Sequence, residues 1–267
     1  MASSTRQSLA SAKAALQPLL AKADLGFATQ LFSVSGAVAA SAQLRNLLSD
    51  PSAEVAAKQG AVNAVFGKAV SADVTGFVTS LVALRWSKGS DLVLALEQMG
   101  VYVVANLAAT AGKLDQLESE LFAFQQAIDE SMDLQFALAS KTASQEARAA
   151  LVDKLLGGKA SAEGSALIHE AVRASGKRRT ALVLEGYSKI LATVGQALVA
   201  KVTVAKDLKP AQLERLRAAL TKAYGTSVKL NVEHDPSVIG GLRVQIADQI
   251  IDGSVVARLN QAKLSLA

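Results

Sequence analysis

There is no cysteine in the 267 residues, and histidine occurs only twice, at His169 and His234. A disulfide framework, a thiolate metal site and a cysteine nucleophile are therefore excluded. Two histidines are too few for a typical histidine-rich zinc site, so each reads as an ordinary structural residue. Aromatics make up 4% of the chain and prolines number four, while hydrophobic residues reach 51%. Ala, Leu and Val thus carry the apolar content, which suits long packed helices better than a β-sandwich. A long apolar run is missing as well. The longest uncharged apolar-leaning window, Met99 to Gly112, has 14 residues and includes Asn106 and Thr110. A bilayer span needs ~20 apolar residues, so none is expected.

The first 23 residues hold Arg6, Lys13 and Lys22, several serines and no acid. That composition resembles a transit peptide. Leu9, Leu16 and Leu20 on one stripe equally make an ordinary amphipathic helix. Lys13 and Gln17 interrupt any secretory apolar region, leaving a soluble cytoplasmic protein as the default. The net charge is +5, and its densest basic cluster is "GKRRT", around Lys177 to Arg179. No aromatic side chains interleave with it to stack bases, so it reads as a basic inter-helix corner and no nucleic-acid partner is expected.

What the chain does have is a repeat. At an offset of 90 residues, positions 29–104 align with 119–194 without a gap, giving 17 identities in 76 positions. About seven would arise by chance in so Ala- and Leu-rich a sequence. The apolar stripes strengthen the match. Phe27, Leu31, Val34 and Val38 step by 4, 3 and 4, and Leu117, Leu121, Phe124 and Ile128 step identically. Both are helix-period stripes that need a partner to bury them. Further pairs are Leu44 with Leu134, Val62 with Val152, and Phe77 and Val78 with Leu167 and Ile168. Each copy reads as a bundle of four or five helices, with starts at Asp24, Ser52, Ser71 and Asp91 in the first, and at Ser144 and Ser161 in the second. Neither copy clusters carboxylates, histidines or serines as a catalytic site would, and no metal or cofactor ligands are apparent.

The pattern changes near residue 198. "LVAKVTVA" alternates, a helix opens at Lys209-Pro210 with Leu213, Leu216 and Leu220 on one face, and "SVKLNVEH" and "LRVQIA" alternate again. With "QIID" as a short return strand and a last helix on Val255, Val256, Leu259, Ala262 and Leu266, the order is β-α-β-β-β-α, a compact α+β module. The expected fold is mainly α: duplicated helical bundles at 1–105 and 106–197, then a small α+β domain at 198–267.

Two glycine sites could suggest a phosphate cradle. Asp235-Pro236 and Gly240-Gly241 precede a strand, however, and match neither G-x-G-x-x-G nor G-x-x-x-x-G-K-[ST]. A phosphate loop follows a strand and opens a helix. Gly240 and Gly241 are expected to shape the entry to the strand, Asp252-Gly253 the next turn, and Ser254 the cap of the last helix.

Residues 202–266 resemble the C-terminal part of the delta subunit of F-type ATP synthases, the counterpart of the oligomycin-sensitivity-conferring protein. The resemblance rests on Asp235, Pro236, Ile239, Gly240 and Gly241, the alternating strand, and Ile251, Asp252, Gly253 and Ser254 followed by Arg258 and Leu259. The second repeat is similar to that family's helical domain, and the first makes the chain longer, as in the extended delta subunits of high-GC Gram-positive bacteria. The family's Arg-Tyr-Ala-x-Ala-Leu is absent; the corresponding stretch reads "VVANLAATAGKLD". The resemblance implies a non-catalytic peripheral-stalk subunit. It would touch N-terminal segments of the alpha subunits and grip the b subunit, and would lie peripherally on the cytoplasmic side of the cell membrane only through the complex. An unrelated helical-repeat adaptor is the alternative reading.

Overall fold

The computed structural model describes residues 3–140, 143–175, 179–195, 198–204, 208, 210–224, 228–234, 242–246 and 249–252. They fall into two compact units, Met1–Val194 and Gly195–Ala267. The first is helical: α1 Ser3–Leu20, α2 Leu25–Ala40, α3 Ala42–Ser49, α4 Val55–Phe66, α5 Ala72–Val82, α6 Gly89–Thr110, α7 Leu114–Asp129, α8 Met132–Ala139, α9 Gln145–Leu156, α10 Ala162–Ser175 and α11 Thr180–Gly195. Helices dominate the described residues, so the fold is mainly α.

Local chemistry sets most helix starts. Asp24, Ser41, Ser71, Ser131 and Ser144 each accept an amide three residues on, satisfying one of the free N–H groups of a first turn. Two expected starts shift. Helix α4 begins at Val55 with Glu54 at its cap, and Ser52 lies ahead of it in a turn where its amide and hydroxyl donate to the Asp50 carboxylate at 2.8 and 2.6 Å. Helix α6 begins at Gly89, ahead of Asp91, whose carboxylate instead accepts from the Thr5 hydroxyl at 2.6 Å.

The helix boundaries recur. Shifted by ninety residues, α3 and α4 coincide end for end with α8 and α9, and α5 starts where α10 does. The stripes Phe27, Leu31, Val34, Val38 and Leu117, Leu121, Phe124, Ile128 are buried alike. Helix α1, shifted in the same way, falls at 93–110, inside α6. One helix therefore closes the first run and opens the second. The two runs share one hydrophobic core, with α2 packed along α6 and also touching α10.

Two glycines settle the course of the chain from Asp91 to Met132. Gly100 lies within α6, where a Cβ would meet Cε1 of Phe32 at 2.3 Å, so the ring of Phe32 rests on the helix backbone. Gly112, at φ 68, occupies the left-handed region that ends α6 before α7. By length and composition α6 could cross a membrane, yet 67% of its apolar window is buried within the helical unit. It is the core helix of that unit.

The second unit holds β1 Leu198–Val204, α12 Pro210–Tyr224, β2 Val228–His234, β3 Leu242–Ile246 and β4 Gln249–Asp252. The sheet order is β2-β1-β3-β4, parallel between β1 and β2 and antiparallel for the rest. A parallel pair needs a long crossover, which α12 supplies. Ala200, Val202, Val204, Val228, Val244 and Ile246 form its core with Leu220 of α12. Along β3, Val244 and Ile246 are buried while Arg243 and Gln245 are exposed, the alternation read from "LRVQIA".

Candidate interaction surfaces

The junction between the two helical runs carries a buried polar cluster. The Tyr187 hydroxyl on α11 donates to Oε1 of Glu97 on α6 at 2.9 Å. Arg173 on α10 donates from Nε and Nη2 to the Glu170 carboxylate at 2.6 and 2.5 Å, and from Nη2 to the carbonyl of Phe32 at 3.0 Å. Glu97 and Glu170 are 2% and 3% exposed, so these bonds replace hydration that burial removed. Burial works against the charge on Arg173. The bond to Glu170 and the nearby Glu170, Tyr187 and Glu97 outweigh it and hold the guanidinium above its ordinary value. Gly36 makes room for the cluster, since a Cβ there would lie 2.2 Å from Nη1 of Arg173.

Beside this cluster a cleft of about 680 Å³ opens between α2 and the α9–α10 pair. Gly36, Ala37, Ala40, Ala149 and Ala166 give it a wall of small residues, with Phe32 and Val172 adding larger apolar surface. Arg148 lines it too, and its Nε is buried without a hydrogen-bond partner. Glu146, at the start of α9, has its carboxyl held below the ordinary value by its own backbone amide and the Ser144 hydroxyl. His169 sits on the cleft wall and pairs with Asp153 at 2.9 Å, an exposed contact of structural character. No group of three or more metal-ligating side chains occurs among the described residues.

A further surface feature lies on α7 and α8. Phe122, Met132 and Phe136 are 66%, 66% and 69% exposed, on helices whose charges are all negative.

Of the signature residues read from the sequence, Asp235, Pro236, Gly240, Gly241, Gly253 and Ser254 lie outside the described residues, as does the expected last helix. Asp252 ends β4, in register with Arg243 of β3. Of the basic corner, Arg179 alone is described, and it is exposed. Sequence reasoning missed the junction cluster and the cleft. The signal lay in the aligned copies: Gly36 and Gly100 stand opposite Gln126 and Ile190, marking where the first copy alone needs close approach.

Comparison with known proteins bears on the whole chain. Residues 102–266 match the family model described as ATP synthase delta (OSCP) subunit. The chain is 40% identical to the ATP synthase subunit delta of Leifsonia xyli subsp. xyli over 267 residues, covering 100% of both proteins. It is 37% identical to that of Pseudarthrobacter chlorophenolicus, again over 100% of both. The subunit of Streptomyces avermitilis is 38% identical over 90% of this chain and 88% of its own length. A chain of the Toxoplasma gondii mitochondrial ATP synthase hexamer covers 62% of this one at 17% identity and a TM-score of 0.29, too loose a likeness to bear on the fold. The relatives from Leifsonia and Pseudarthrobacter extend over the helices that precede residue 102 as well as the matched region. On this evidence the chain belongs to the ATP synthase delta (OSCP) subunit family.

Proposed function

We propose that this chain is a stator: a non-catalytic subunit that ties the catalytic head of an F-type ATP synthase to its peripheral stalk and resists rotor torque during ATP synthesis. The observation that carries the reading is full-length similarity to ATP synthase delta subunits at 40% identity. The physical character of the chain supports it. A torque bearer needs stiff packed helices, and α6 is buried along most of its length between the two runs.

Residues 106–197 dock on the head, against N-terminal segments of the alpha subunits, and residues 198–267 grip the b subunit. Residues 1–105 are a duplicated copy of the second run, as the recurring helix boundaries and the matched stripes suggest. The signature Asp235, Pro236, Gly240, Gly241, Asp252, Gly253 and Ser254 shapes the stalk-gripping module. The chain stays peripheral to the cell membrane, on its cytoplasmic side, through the complex. A truncation that ends near residue 200 is expected to retain head binding and lose b-subunit binding in pull-down assays. Full-strength capture of b by the truncated chain would overturn the assignment of the two ends.

A further inference from the structure

Lys58 on α4 and Arg148 on α9 hold the same position of the ninety-residue repeat, so each helical run carries a cation there. The first is matched by an acid. Asp50 stands ahead of α4, and its carboxyl, held down chiefly by Ser52, is lowered further by the charge of Lys58. Ninety residues on, the place of Asp50 is taken by Ser140, whose hydroxyl accepts from the Ala143 amide at 3.3 Å and brings no charge. Arg148 has the cation's place without the counter-charge.

The guanidinium of Arg148 forms no hydrogen bond or ion pair among the described residues, although its Nε is buried. A buried donor left unsatisfied costs free energy, and such groups are rare in folded proteins. The other charged groups lining the cleft between α2 and the α9–α10 pair are engaged. Glu170 is held by Arg173, His169 by Asp153, and Glu146 by its own amide and the Ser144 hydroxyl. Arg148 is therefore the cation of this cleft with bonding capacity to spare, and Phe32, Ala37, Ala149 and Val172 line the same cleft with apolar surface.

The cleft, at about 680 Å³, falls within the ~300–1,000 Å³ usual for small-molecule sites. A planar guanidinium matches a carboxylate, two N–H groups against two oxygens. A dianion such as phosphate would bring a second negative charge into a cleft that already holds Glu146 and Glu170, whereas one carboxylate balances one arginine. We propose that this cleft binds a small organic monocarboxylate, its acid group on Arg148 and its apolar body against Phe32 and Ala37. A ligand so placed touches both helical runs at once.

The test is isothermal titration of the full-length chain with phenylbutyrate, alongside phenylbutanol and inorganic phosphate. Phenylbutyrate should occupy one site with a dissociation constant of about 0.1–1 mM. The alcohol and phosphate should bind at least about tenfold more weakly. Arg148→Gln should weaken phenylbutyrate about tenfold or more, and Arg148→Lys by less, because a point charge replaces the fork. Ala37→Leu, at an exposed position of the wall, should also weaken it, by narrowing the cleft with the charge untouched. Arg179→Gln, which removes an exposed cation at the start of α11, should leave binding intact. Phenylbutyrate at tenfold excess over its dissociation constant should raise the melting temperature by about 3 °C, and the rise should vanish in Arg148→Gln. The proposal is overturned if phenylbutyrate shows no saturable binding, or if the alcohol or phosphate binds as tightly. It is overturned too if binding survives both Arg148→Gln and Ala37→Leu, or falls equally in Arg179→Gln.

Discussion

Ser161 and Glu120 are joined twice: the serine amide donates to Oε1 at 3.1 Å and its hydroxyl to Oε2 at 2.6 Å. Ninety residues earlier the Ser71 amide donates to Oε1 of Gln30 at 2.7 Å, the same contact between the same helices of the first run. Each fastens the start of one helix to the side of another. The carboxylate version is charge-assisted and doubled, so it is the stronger. Gln30→Ala should cost about 0.5–1 kcal/mol and Glu120→Ala about 1.5–3 kcal/mol in urea unfolding. Equal costs would contradict the geometry.

Glycines inside helices divide into two kinds here. A Cβ on Gly100 would meet the Phe32 ring at 2.3 Å, while one on Gly60 or Gly186 would meet nothing within 4 Å. Gly100→Ala should therefore destabilise by about 1–3 kcal/mol through overpacking. Gly60→Ala and Gly186→Ala should instead stabilise by about 0.5–1 kcal/mol, because alanine restricts the unfolded chain and suits a helix. Thermal melts of the three variants check the sign of each.

Leu31 and Leu121 are both 0% exposed and hold the same place in the two runs. Substituting either with Ala removes the same atoms from the same core, at a cost of about 2–5 kcal/mol each. Because the runs share that core, both variants should unfold in a single transition. Separate transitions for the two runs would show that they do not cooperate.

The Asp50 carboxyl is held below its ordinary value of 3.8, chiefly by the Ser52 hydroxyl and next by the Ser52 amide. A depressed acid stabilises the fold while it is ionised and stops doing so as the pH falls through its folded value. Ser52→Ala should thus be slightly less stable than the parent at neutral pH. The difference should close in acid, and a gap that widened below pH 3.8 would reverse the assignment.

The sequence read most readily where the physics is local. Stripes such as Phe27-Leu31-Val34-Val38 must be buried, and short polar side chains such as Ser71 and Ser144 cap the helices that begin beside them, so several helices are legible from the residues alone, whereas the short α3 and α8, capped by Ser41 and Ser131, are not among the expected starts. Ser52 misled because it closes a local turn with Asp50, two residues away, and the helix starts three residues later at Val55. The junction cluster was opaque for a different reason. Arg173 and Phe32 lie 141 residues apart, and their contact exists because Gly36 leaves a gap, which no periodicity reports. Most of the signature that carried the family resemblance, from Asp235 to Gly241 and from Gly253 onward, lies outside the described residues, so its chemistry rests on the sequence.

Helix α6 belongs to both runs at once, and that makes the joint between them unusual: there is no linker to bend. A rod of 22 residues, about 33 Å long, serves as their common beam. A twist applied at one run is delivered to the other through hydrogen-bonded backbone and a shared apolar core, without the slack of a loop. Any give between these two runs has to come from bending the helix itself, which its backbone hydrogen bonds resist.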